Sequence, residues 1–185
     1  MVCLAMPESA RFWTSANALT GLRLAAAPAL AAAIGADARV PAALLFALAV
    51  ATDFADGAVA RRSGGASRLG GLFDHATDAL FVTLGLSALA LRGELTPLLP
   101  LLVALAFAQY AVDSRVTEGR ALRGSPLGRW NGIAYYVLLG IPVVRDALGL
   151  GWPPAAWVSA LALVLVLSTL ASMALRFSAG RSARS

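Results

Sequence analysis

The chain has no lysine, one cysteine, one histidine and little charge: 14% of its 185 residues are Asp, Glu or Arg. A single thiol, Cys3, excludes an intrachain disulfide framework, and its place beside the N-terminus gives it no role here. With His75 as the one imidazole, zinc sites built from histidine and cysteine are disfavoured too. A soluble domain of this size would carry nearer a quarter charged residues. Instead, 59% of the residues are hydrophobic and the mean hydropathy is +0.75. Basic residues outnumber acidic ones 15 to 10, and all of them are arginine. The arginines lie between apolar stretches, a pattern that suits membrane topology and lipid phosphates and argues against nucleic acid as a partner. No linker-like segment divides the chain, so one membrane-embedded domain is expected.

Six apolar stretches are long enough to cross a hydrocarbon core of about 30 Å. They run approximately over Ala18–Ile34, Val40–Ala60, Gly71–Leu91, Leu98–Asp113, Leu127–Val144 and Trp152–Leu175, each bounded by charge, glycine or proline. Ahead of them, Glu8–Asn17 holds Arg11, Phe12 and Trp13 among small polar residues, the make-up of a short interfacial helix. A cleaved signal peptide is disfavoured because the first apolar run contains Arg23 and is followed by further spans. The expected fold class is therefore an all-α integral membrane protein with six transmembrane helices and a short N-terminal interfacial helix. Residues 1–17 form the interfacial segment, 18–176 the six-helix membrane domain and 177–185 a cytoplasmic tail.

The arginines also give an orientation. With the N-terminus in the cytoplasm, twelve arginines, Arg23 counted among them, fall on inside segments, and three, Arg39, Arg92 and Arg145, fall outside. That asymmetry places both termini, and the segment between the second and third spans, on the cytoplasmic side.

Four carboxylates, Asp53, Asp56, Asp74 and Asp78, stand near that segment within otherwise apolar spans. An aspartate at the centre of a transmembrane helix costs about 2.5–3.5 kcal/mol, so four need a common cavity and a compensating cation. At 100° per residue Asp53, Asp56, Gly57 and Ala60 share one face of the second span, and Asp74 and Asp78 lie one turn apart on the third. Two adjacent antiparallel helices, joined through Ser63, Gly64, Gly65 and Ser67, would bring the two sets together in an open pocket near the membrane surface. An all-oxygen donor set suits Mg²⁺ or Mn²⁺, and two such ions would make a phosphoryl-transfer site. Arg61 has the planar fork for a phosphate. Purely structural pairing of the aspartates with Arg61, Arg62 and Arg68 would leave the small residues on the same face unexplained. His75 sits one residue round the helix from the metal face and reads as a packing residue, and Tyr135, Tyr136, Trp152 and Trp157 read as packing or interface positions without chemistry.

The order Asp53, two residues, Asp56-Gly57, two residues, Ala60-Arg61, eight residues, Gly70, three residues, Asp74, three residues, Asp78 resembles the complete signature of the CDP-alcohol phosphotransferase family. Asn17, Thr20 and Arg23 resemble the start of that family's first membrane helix, with Ala16 where a proline is usual. The resemblance implies a membrane enzyme, commonly a homodimer, of phospholipid synthesis in a bacterial or archaeal cytoplasmic membrane, with its active site on the cytoplasmic side. It would transfer a substituted phosphate from a CDP-linked lipid donor, usually CDP-diacylglycerol, to an alcohol, releasing CMP. Carried over, Asp53, Asp56, Asp74 and Asp78 would bind one or two Mg²⁺ or Mn²⁺ ions, with Asp78 also the general base. Asp56, Gly57, Ala60, Arg61, Asn17 and Thr20 would form the CDP site, and Gly70 would permit close packing where the third helix begins.

For the acceptor, Arg115 and Arg129 flank apolar spans on the inferred cytoplasmic side and are candidate ligands of an acceptor phosphate. Glycerol 3-phosphate is the leading acceptor and inositol phosphate, as in phosphatidylinositol phosphate synthases, the alternative. Two further classes stay open: an ion-coupled transporter, whose site would lie nearer the midplane with helix breaks, and a non-catalytic scaffold retaining the fold.

Overall fold

The computed structural model describes residues 15–62, 68–116 and 125–182, with side chains described over 18–55, 71–112 and 125–178. Six helices follow one another: α1 (Ser15–Gly35), α2 (Arg39–Arg62), α3 (Arg68–Leu91), α4 (Leu98–Val116), α5 (Pro126–Ala147) and α6 (Ala155–Ser182), with no strand among the described residues. These match the six expected apolar stretches to within a few residues at most ends; α6 extends further, to Ser182. The interfacial helix expected over Glu8–Asn17 lies largely outside the described residues.

Among the described residues, two stretches, Ala18–Gly35 and Ala155–Ser178, are long and apolar enough to cross a membrane by composition, and α4 contributes an apolar run over Leu98–Val112. Asp74, His75 and Asp78 dilute the apolar character of α3, and Arg129, Asn131 and Arg145 that of α5. The outer surface is nonetheless apolar, with Leu44, Leu101, Leu163, Val164, Leu167 and Leu175 all exposed.

Helix order in space differs from the expected hairpin. The two most extensive helix interfaces are both made by α1, one with α2 and one with α3, so α1 lies between the helices that carry the aspartates. Small residues allow this: Ala26 and Ala27 on α1 and Ala42 and Ala49 on α2 are buried, letting backbones approach closely. α3 packs in turn on α4 and α5, α2 on α5, and α6 on α4 and α5. Phe81, Leu86, Leu99, Leu138 and Leu139 are among the side chains buried at the centre.

α5 begins where its sequence says it should. Ser125 is the N-cap, its hydroxyl accepting from the Gly128 amide at 3.1 Å, and Pro126 occupies the first helical turn, where its missing N–H costs nothing. On its far side α5 is tied to α6 by Tyr135 with Thr169 (2.5 Å) and by the Ser168 hydroxyl donating to Asn131 Oδ1 (2.6 Å).

At one end of the bundle the three arginines expected outside meet the acidic residues of the short connections. Arg39 and Arg92 pair with Asp37, Arg92 also with Glu94, and Arg145 with Glu94 and Asp146. Arg92 Nη1 also donates to the carbonyl of Ile34 at 2.9 Å, locking the end of α1 to the end of α3.

Candidate active site

The carboxylates gather at the opposite end from that ion-pair network. Asp53 comes from the C-terminal half of α2, Asp74 and Asp78 from the first half of α3. One carboxylate oxygen from each lies within 4.8 Å of the others. Their side chains remain partly open, with relative exposures of 53%, 32% and 26%. Asp56, Gly57, Ala60 and Arg61 lie on α2, Gly70 on α3 and Asn17 on α1, with their side chains outside the described residues.

What joins the three aspartates is a residue of α1. Arg23 has no exposed surface, and its guanidinium reaches all three: Nη2 to Asp53 Oδ1 at 3.4 Å, Nη1 to Asp74 Oδ1 at 3.1 Å, and Nη1 to Asp78 Oδ1 in a very short contact. Arg23 is therefore no topogenic arginine, as the sequence count had it; it projects from the middle of a helix into the site. Removing it from the inside tally leaves the charge asymmetry in place. The carboxylates of α2 and α3 come together as expected, and the side chain of Arg23 from α1 stands among them.

Thr20, one turn before Arg23 and expected at the CDP site, is buried with its hydroxyl 3.4 Å from Asp74 Oδ1. Tyr136 of α5 completes the ring of donors, its hydroxyl donating to Asp78 Oδ1 at 2.9 Å. Its ring stacks on fully buried Phe81, with centroids 5.9 Å apart and planes 11° from parallel. Tyr136 thus departs from the packing role expected of it. Nothing in its spacing announced this, because the partner stands 58 positions away. Tyr135, by contrast, is a buried packing residue bonded to Thr169, and Trp152 and Trp157 pack on each other at 6.4 Å. His75 is exposed, its ring 5.7 Å from that of Tyr110.

These residues fit a divalent cation. One guanidinium against three carboxylates leaves two formal negative charges, and all the donor atoms are hard oxygens. The hydrogen bonds from Arg23, Thr20 and Tyr136 fall on Oδ1 atoms; none from the described residues reaches Oδ2 of Asp74 or Asp78. Each of those carboxylates keeps an oxygen for a ligand.

Of the two acceptor-phosphate candidates, Arg129 is exposed in the first turn of α5, and Arg115 lies near the end of α4 with its side chain outside the described residues. Between α4, α5 and α6 the structure holds a cavity of about 70 Å³, lined in part by Gln109, Asn131, Ser172 and Arg176, with Arg129 outside its lining. Gln109 Oε1 and Asn131 Nδ2 are buried there without a protein partner. The Arg176 guanidinium lies 5.2 Å above the Tyr110 ring.

A family model described as CDP-alcohol phosphatidyltransferase matches residues 13–169. The comparisons with curated proteins and with solved structures gave no match. The match covers most of the chain, and the chain belongs to the CDP-alcohol phosphatidyltransferase family, membrane-associated transferases that move a phosphatidyl group from a CDP-alcohol to an alcohol and are generally dependent on a divalent metal.

Proposed function

We propose that this family member is a divalent-metal-dependent enzyme of phospholipid synthesis that uses a CDP-linked lipid donor such as CDP-diacylglycerol, hands its phosphatidyl group to a phosphorylated alcohol and releases CMP. The observation that carries the reading is the convergence of Asp53, Asp74 and Asp78 from two helices on one point beside a buried arginine.

In this reading Asp53, Asp56, Asp74 and Asp78 hold one or two Mg²⁺ or Mn²⁺ ions. Ions bound there supply Lewis-acid polarisation of the donor diphosphate and offset charge on the departing CMP. Asp78 takes the proton of the acceptor hydroxyl on Oδ2, the oxygen that Arg23 and Tyr136 leave open, through the lone pair of that oxygen that an ion would not use. The acceptor oxygen then forms a bond to the phosphatidyl phosphorus as the bond from that phosphorus to the CMP oxygen breaks, CMP leaving with the electron pair. Gly57, Ala60, Arg61, Asn17 and Thr20 shape the CDP site.

Glycerol 3-phosphate is the acceptor we put first and inositol phosphate the alternative, with Arg115 and Arg129 as phosphate ligands. Support for a polar acceptor comes from the cavity beside α5, whose orphaned Gln109 and Asn131 groups and Arg176 suit a phosphorylated polyol. All six helices cross the membrane in this reading, with the carboxylate end in the cytoplasm and two copies forming a homodimer. Helices α2 and α3 run unbroken through the aspartates, which counts against a transporter, where discontinuous helices are the rule at ion sites.

The test is CMP release by the purified protein in lipid, with CDP-diacylglycerol and Mg²⁺ or Mn²⁺, against glycerol 3-phosphate, inositol phosphate, inositol and serine in parallel. Acceptor-dependent release names the subclass. Silence with every acceptor, in protein that still binds Mn²⁺, would sink the donor assignment and favour the scaffold.

A further inference from the structure

Tyr136 is the one described residue of α4, α5 or α6 that donates a hydrogen bond to the carboxylate cluster, which is otherwise assembled on α1, α2 and α3. A tyrosine hydroxyl within the bundle needs a partner, and this one has taken Asp78 Oδ1 at 2.9 Å, the oxygen that also receives Arg23 Nη1. Two donors on one oxygen fix the rotation of the carboxylate about its Cβ–Cγ bond. From the geometry we infer that Tyr136 is a positioning residue: it holds Asp78 so that Oδ2, and not Oδ1, is presented to the cation and the acceptor hydroxyl.

The tyrosine is itself held on three sides. Its ring lies flat on Phe81, one turn after Thr77 on α3 and fully buried, so the ring and its target Asp78 are carried by the same helix. One turn further along α5, Gly140 lets the helix close on Phe46 of α2, where a Cβ would stand 2.7 Å from the Phe46 ring. Behind it, Tyr135 and Asn131 bond Thr169 and Ser168 of α6. The hydroxyl therefore arrives at Asp78 with its direction set by the packing of four helices. Hydrogen bonds to ligating carboxylates of this kind commonly govern metal affinity by about 10–100-fold.

The inference rests on the metal site proposed above, and its test does not depend on turnover. Mn²⁺ is titrated into the full chain in lipid nanodiscs, and the unbound ion is counted by its electron paramagnetic resonance signal, for wild type, Tyr136→Phe and Tyr135→Phe. Tyr136→Phe keeps the stacked ring and removes only the hydroxyl. Tyr135→Phe removes the neighbouring hydroxyl, which bonds α6 and not the cluster. The expected result is a loss of Mn²⁺ affinity of about tenfold or more in Tyr136→Phe, with Tyr135→Phe close to wild type. Where turnover is measurable, kcat falls in Tyr136→Phe while KM for the CDP-linked donor holds. Equal affinities for wild type and Tyr136→Phe, or equal losses in both variants, would overturn the positioning role. A wild-type protein that binds no Mn²⁺ overturns the metal site along with it, whereas Mn²⁺ binding with the expected pattern and no CMP release would leave Tyr136 standing and remove only the transferase chemistry.

Discussion

Gly140 of α5 faces Phe46 of α2 so closely that a Cβ on Gly140 would stand 2.7 Å from the ring's Cζ. This contact sets the distance between α5 and the helix that carries Asp53. In Gly140→Leu the ring and the added side chain compete for one volume, with an expected loss of about 1–3 kcal/mol from overpacking. Thermal unfolding in detergent measures it. An unchanged midpoint would mean that α5 can shift without cost.

Arg23 is buried against three carboxylates, so truncating it leaves negative charge without its counter-ion. Arg23→Gln should lower stability by about 3–5 kcal/mol without divalent ions, and added Mn²⁺ should recover part of that. Arg23→Lys should recover little, because one ammonium cannot reproduce the two positions that Nη1 and Nη2 occupy. Unfolding curves with and without Mn²⁺ decide this, and a wild-type midpoint for Arg23→Gln in chelator would refute it.

Asp78→Asn keeps the size of the side chain and removes its capacity to accept a proton. CMP release is expected to fall by about 10²–10⁴-fold, with binding of the CDP-linked donor largely retained. Turnover and equilibrium binding of the donor, measured on the same preparation, separate the two effects. Near-normal turnover would remove Asp78 as the base.

Chelation should abolish CMP release, and Mg²⁺ or Mn²⁺ should restore it, because the site offers oxygen donors without thiolate or imidazole. Asp53→Asn removes one ligand and should raise the Mn²⁺ concentration for half-maximal rate by about tenfold or more. An enzyme fully active in excess chelator would contradict the metal assignment.

Asp37 lies at the other end of the bundle, where hydrogen bonds from Arg39 and then Arg92 hold its carboxyl below the ordinary value of 3.8. A depressed carboxyl contributes stability above its unfolded value and loses it as pH falls through the folded one. Wild type should therefore lose stability more steeply than Asp37→Asn on acidification below about pH 4. Asparagine tolerates the positive φ of 54° at this position, so the comparison isolates charge. Parallel acid-unfolding curves for the two proteins would refute it.

How much could be read before the fold was known depended on the range of each interaction. The six helices were legible because apolar runs and their polar boundaries are local, and the bounds found lie within a few residues of those expected at most ends. The pairing of Asp74 with Asp78 was legible for the same reason, since four residues make about one helical turn. That these two should meet Asp53 followed from the cost of isolated carboxylates in an apolar helix.

The helices and the need for positive charge among the aspartates follow from composition, periodicity and short spacing, and the family from the signature motif between Asp53 and Asp78. That α1 stands between α2 and α3, that Arg23 supplies part of that charge and that Tyr136 bonds Asp78 emerge from packing in three dimensions. Those partners lie 51, 55 and 58 positions apart along the chain, for the bonds of Arg23 to Asp74, Arg23 to Asp78 and Tyr136 to Asp78. At such separations periodicity carries no information. Small buried residues such as Ala26, Ala27, Ala49 and Gly140 decide which helices approach closely enough for a side chain to reach across.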